Sequence, residues 1–181
     1  MSKTNKERIE LTQKRMKAND PEAFVMMGEI YRLGLMGLAK DNKKGLELMK
    51  QAADLGSGTA HYVLADEYSG TGVAKYNKLS FYHLRLAAIG GVLEARYNLG
   101  LQAYAPEKQQ TKLAFKHWVI AAGAGNDDSL GKVKEGYVAG YVTKDVFAKT
   151  LRSHKAALDE VKNIQRDAAV NSGTCKLASD L

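Results

Sequence analysis

The sequence predicts an all-α protein, a solenoid of about four helix–turn–helix repeats with an extra helix at each end. Three observations carry that prediction. The first is a period. Ala-Ala pairs stand at Ala52-Ala53, Ala87-Ala88, Ala121-Ala122 and Ala156-Ala157, in steps of 35, 34 and 35 residues, and the leading alanines Ala23, Ala60 and Ala95 step by 37 and 35. A fixed period of this size marks stacked supersecondary units, each covering an apolar face that its neighbour cannot bury alone. The second is the pattern within one unit, Thr59 to Gly90. Ala60, Leu64, Ala65 and Tyr68 form one helical stripe, Ser69-Gly70-Thr71-Gly72-Val73 breaks it, and Phe81, Leu84, Ala87 and Ala88 form a second stripe closed by Gly90-Gly91. The third is composition. A 45% hydrophobic content with two prolines and few β-branched runs suits helices around a real core.

In chain order, residues 1–19 form a charged leader whose Ile9, Leu11 and Met16 give a thin apolar stripe. It is read as an extra helix packed loosely on the first repeat, with a frayed leader as the plainer alternative. Asp20-Pro21-Glu22 opens the first repeat, because Asp caps a helix, Pro suits its first position and Glu favours the positive end of its dipole. Ala23, Met27, Gly28 and Tyr31 are its first stripe. Asp41 or Asn42 caps the second helix, with Leu46, Met49, Ala52 and Ala53 facing inward, and Gly28 and the alanines let helix axes approach closely. In the third repeat Ala95, Leu99 and Gly100 hold the first stripe, Ala105-Pro106-Glu107-Lys108 is the turn, and Phe115, Trp118, Ala121 and Ala122 hold the second, with Trp118 in the core. The fourth copy is degraded: Ser129, Val133 and Tyr137 keep the spacing while Lys134 replaces a small residue. A polar capping helix from Thr143 and Asp145 is expected to reach about Ala169, with Val170 to Leu181 a flexible tail. The expected boundaries are thus 1–19 for the leader, 20–161 for the solenoid (repeats 20–58, 59–92, 93–126 and 127–161), and 162–181 for the end of the cap and the tail.

The pattern A-x-x-x-L-G-x-x-Y, then G-x-G-V, then a helix ending in A-A-x-x-G resembles the Sel-1-like repeat, a relative of the tetratricopeptide repeat. It is carried here by Ala60, Leu64, Ala65, Tyr68, Gly70, Gly72, Val73, Ala87, Ala88 and, one residue late, Gly91. The resemblance covers Asp20 to about Val161. It implies hairpins stacked into a right-handed superhelix that scaffolds other proteins, as adaptors do in ubiquitin-ligase and signalling assemblies. The leader before Ala18-Asn19-Asp20-Pro21-Glu22-Ala23 looks like a linker helix that in some relatives follows a zinc-binding, RING-like module. One cysteine, Cys175, cannot build such a module, so a ligase role would come from a partner.

Catalysis and cofactors have little support. His83 and His117 occupy one repeat position, so repetition explains them better than metal ligation, and His61 and His154 have no Cys or His at ligand spacing. Gly70-Thr71-Gly72 lacks the preceding strand and following Lys-Ser/Thr of a phosphate loop. No serine or cysteine lies in a nucleophile motif. No enzyme activity, metal or cofactor is expected. No apolar run reaches the length of a membrane span, the charged N-terminus is unlike a signal peptide, and the lone cysteine fits a reducing compartment, so the expectation is an intracellular protein, cytoplasmic or nuclear, with no membrane partner.

Binding has geometric support. At 100° per residue, positions −1, +2, +6 and +9 from each leading residue lie opposite the core stripe. Those positions, expected to line the concave groove of the superhelix, are Glu22, Val25, Glu29 and Arg32; Thr59, Tyr62, Asp66 and Ser69; Glu94, Tyr97, Leu101 and Tyr104; Asp128, Gly131, Glu135 and Val138. Six acids stand against one base, a net −5 in a chain of net charge +7. A solvated helix face would also favour Glu, but Tyr62, Tyr97 and Tyr104 suit an interface. The expected function is a scaffold or adaptor that clamps a basic protein or peptide segment through Glu22, Glu29, Arg32, Tyr62, Asp66, Glu94, Tyr97, Leu101, Tyr104 and Glu135. The alternative is nucleic-acid binding through the basic leader and outer surface, disfavoured because an acidic groove repels phosphate and no aromatic residue interrupts the leader.

Overall fold

A computed structural model describes residues 3–69, 74–105 and 109–178, with the side chains of 74–77 and 170–178 set aside. The turns expected at Gly70–Val73 and Pro106–Lys108, and the Cys175 side chain, lie outside that description. Among the described residues there are nine helices and no strand: α1 (Lys3–Lys17), α2 (Pro21–Leu33), α3 (Asn42–Asp54), α4 (Gly58–Ser69), α5 (Ala74–Ile89), α6 (Leu93–Tyr104), α7 (Thr111–Gly123), α8 (Asp127–Val138) and α9 (Lys144–Ala178). They fall into two compact units, Met1–Leu99 and Gly100–Leu181, divided within α6.

In the first unit α2 packs on α3 and α4 on α5, with α1 against α2. Two of the starts, those of α2 and α3, are chemically marked. Asp20 accepts from Glu22 N ahead of Pro21, and Asp41 accepts from Lys44 N. The core carries the repeated alanines: Ala23, Ala52, Ala60, Ala87 and Ala95 are fully buried. Gly28 and Gly45 set the closest approach. A Cβ on Gly45 would fall 2.8 Å from the Gly28 carbonyl oxygen, and one on Gly28 would fall 3.1 Å from that of Gly45. The α1 stripe is Ile9, Thr12 and Met16, whereas Leu11 is 60% exposed. Arg15 pairs with Asp20 at 2.7 Å, tying the leader to the cap of α2.

Two further expectations for this unit need correction. Phe81 is exposed and Ser80 is buried, its hydroxyl donating to the Ala65 carbonyl at 2.7 Å. Gly45, Ser80 and Ala114 follow the same period, so the inward position before Leu46, Phe81 and Phe115 is reserved for a small residue. Val25, assigned to the open groove, is buried together with Phe24. A first helix in a stack has neighbours on two flanks, so its dry arc is wider than one stripe.

In the second unit α7 packs on α8 and on α9, and α9 leans more on α7 than on α8. Trp118 is 1% exposed, against Gly100, where a Cβ would collide with the indole. Phe115 presses on Gly136 in the same way and stacks on Tyr141. The deep position of α8 is therefore Gly136, not Lys134 or Tyr137, which are exposed. Ala156 is exposed too, so the last alanine pair is not a fourth copy of the seam. Among the described side chains of α9 the buried ones are Thr150 and His154, and the His154 Nδ1–H donates to the Ala122 carbonyl at 2.8 Å. This helix continues to Ala178, past the expected end at Ala169 and through much of the expected flexible tail.

Candidate functional site

The face expected to bind a partner is built, in the first unit, from α2, α4 and the start of α6. Two hydrogen bonds link these segments. Ser57, which caps α4 by accepting from Ala60 N at 3.2 Å, donates to Glu22 Oε1 of α2 at 3.1 Å. Asn98 of α6 donates to the Tyr62 hydroxyl of α4 at 3.5 Å.

Glu29, Asp66 and Glu94 are exposed, and none forms an ion pair among the described residues. Glu22 is exposed but engaged by Ser57. Arg32 is half-buried, its stem over Gly45 and its Nε buried without a hydrogen-bond partner among the described residues. Tyr62 and Tyr97 are half-buried, with the Tyr62 ring against the apolar cluster of Ala65, Ala88 and Leu99. Tyrosine at this position thus supports the seam and also offers surface.

In the second unit Leu101 is 41% and Tyr104 49% exposed, and the Tyr104 ring packs on Phe115 and Trp118 at centroid distances of 6.2 and 5.5 Å. Glu135 is exposed but held by Lys132 Nζ at 2.8 Å. The expected count of −5 left out this lysine, so the fourth copy carries less free negative charge than its positions imply. Thr59, Ser69, Asp128 and Val138 are exposed as expected, and Gly131 is half-buried.

Sequence reasoning missed one polar contact. His61 Nδ1 and His83 Nδ1 are 2.9 Å apart, with Tyr68 stacked on His83 and Tyr82 at its edge. Burial lowers both histidine pKa values; His61 lowers that of His83 further, while Asp54 pulls both upward. Spacing alone gave no signal, because the pair joins α4 to α5 across the hairpin. Among the described residues no group of three His, Cys, Asp or Glu is arranged to hold a metal ion, and no helix is long and apolar enough to cross a membrane.

Paired helices repeating about every 35 residues, sealed by small residues, define an α-hairpin repeat fold. That fold is the Sel1-like repeat. A Sel1 repeat protein from Oxalobacter formigenes matches with a TM-score of 0.68 at 22% identity, over 86% of this chain and 64% of its own. A protective antigen of uropathogenic Escherichia coli strains, displaying an SLR fold, matches with a TM-score of 0.61 at 19% identity, over 87% of this chain and 38% of its own. The chain therefore spans less than two thirds of either protein. No protein-family model and no curated protein matches it.

Proposed function

We propose that this chain is a non-catalytic scaffold or adaptor that holds a basic segment of another protein on the outward face of α2, α4 and α6. The observation that carries the proposal is three exposed carboxylates free of ion pairs among the described residues, Glu29 and Asp66 at the same repeat position and Glu94 about two turns along on the same helical face, on helices joined by Glu22–Ser57 and Tyr62–Asn98. In a chain of net charge +7 such a strip sets orientation and encounter rate for a cationic partner, and half-buried tyrosines add rigid contact area. A ubiquitin-ligase or signalling assembly is the setting that the Sel-1 resemblance implies for an adaptor of this kind.

The test is affinity purification with the full chain, followed by the Glu29→Lys/Asp66→Lys double variant. Loss of the recovered partner supports the proposal, and unchanged recovery refutes it. A low-salt gel shift with duplex DNA and single-stranded RNA addresses the alternative. Salt-sensitive binding there would transfer the function to the basic leader.

A further inference from the structure

The second unit carries a surface of opposite character. Between α7 and α9 lie two contiguous cavities, of about 540 and 450 Å³, that share Val119, Ile120 and Val146. Their floor is apolar and open to water: Ile120 is 52% and Tyr141 59% exposed. The charged residues lining them are Lys112, Lys116 and Lys149, with no acidic residue among the lining. None of the three lysines is in an ion pair among the described residues.

Lys112, Lys116, Val119, Ile120 and Gly123 recur at helical spacing, so the groove follows one face of α7. From Lys112 to Gly123 it runs roughly 16 Å at 1.5 Å per residue, about three turns of helix. A trough of that length, apolar along its floor and cationic along its rim, has the shape and charge to take the apolar stripe of a helix.

We propose that this groove docks an acidic amphipathic helix of another protein, its apolar side on Val119, Ile120 and Val146 and its carboxylates against Lys112, Lys116 and Lys149. Charge selects this occupant over a symmetric second copy of the chain, because two such grooves face to face would oppose lysine with lysine in a molecule already at +7. The groove shares no residue with the acidic face of the first unit, and the proposal does not depend on that face.

The experiment uses the full chain and two fluorescent synthetic helices of about three turns. Both present the same leucine stripe, with Glu on the remaining faces of one and Lys on those of the other. Fluorescence anisotropy should show the Glu helix binding at least about tenfold more tightly, a preference that added salt erodes. Ile120→Glu should abolish this binding. Lys116→Glu/Lys149→Glu, at exposed positions where the fold is indifferent, should weaken it about tenfold or reverse the preference. Equal binding of both helices, or binding unchanged in both variants, overturns the proposal. So does self-association of the wild-type chain that Ile120→Glu relieves, or capture by phosphatidylserine vesicles without binding of the Glu helix.

Discussion

Gly100 and Gly131 are both helical glycines of the second unit, and alanine at the two should act with opposite sign. At Gly100 a Cβ would sit 2.6 Å from Trp118 Cδ1 and closer still to Nε1, where real contacts do not fall below about 3 Å. The indole is 1% exposed and rigid, and Phe115 and Tyr104 pack against it. It cannot withdraw without opening the seam. Overpacking of this kind costs up to about 3 kcal/mol, and the helix propensity of alanine returns about 1 kcal/mol. The net loss is about 2 kcal/mol, or a fall of about 4–8 °C in melting temperature for a chain of this length. At Gly131 a Cβ would meet nothing within 4 Å, so only the propensity gain of about 1 kcal/mol remains. Trp118 is the one tryptophan, so its fluorescence during urea unfolding reports on the affected unit. Trp118→Phe in the Gly100→Ala background should recover part of the loss. A Gly100→Ala protein as stable as Gly131→Ala would refute the packing argument.

The His61–His83 bond needs one Nδ1 to accept, so it survives at most one proton on the pair. With both folded pKa values lowered, the unfolded chain binds more protons in mildly acid solution, and stability rises with pH. It should be intact above about pH 6.5 and fall as the pH drops through the lowered values, and urea melts of wild type and His61→Gln should show a smaller pH dependence in the variant. Ser57→Ala removes both the cap of α4 and the link to Glu22, and should cost about 1–2 kcal/mol by chemical denaturation. Ser129 stands where three other copies have a buried alanine, and its hydroxyl is buried without a hydrogen-bond partner among the described residues. Ser129→Ala should therefore stabilise by about 1 kcal/mol, measured the same way.

Much of the fold was legible because it is repeated. Asp20-Pro21 and Asp41 announce helix starts through chemistry that acts within four residues, and the alanine period fixes which faces meet. Trp118 followed from its place in that period. What escaped depends on neighbours across the stack. Val25 is dry because α2 is flanked twice, which one helix's own pattern does not reveal. The small-residue row Gly45, Ser80 and Ala114 was available in the period but hidden beside the larger Leu46, Phe81 and Phe115. Lys132 is visible three residues before Glu135, yet tallying acids by face passed over it. The histidine pair, the lysine-rimmed groove and the changed register of α9 arise only once separate helices are brought together.

That changed register governs how α9 is seated. Seams made of alanine are mutually interchangeable, since a smooth methyl surface accepts any similar surface and cares little which one. The joint of α9 with α7 is different: His154 of α9 must aim a proton at a single carbonyl, that of Ala122. A directional bond tolerates only one mate in one orientation. Helix α9 is thereby keyed to one seat on α7, where an alanine seam would have accepted any similar surface.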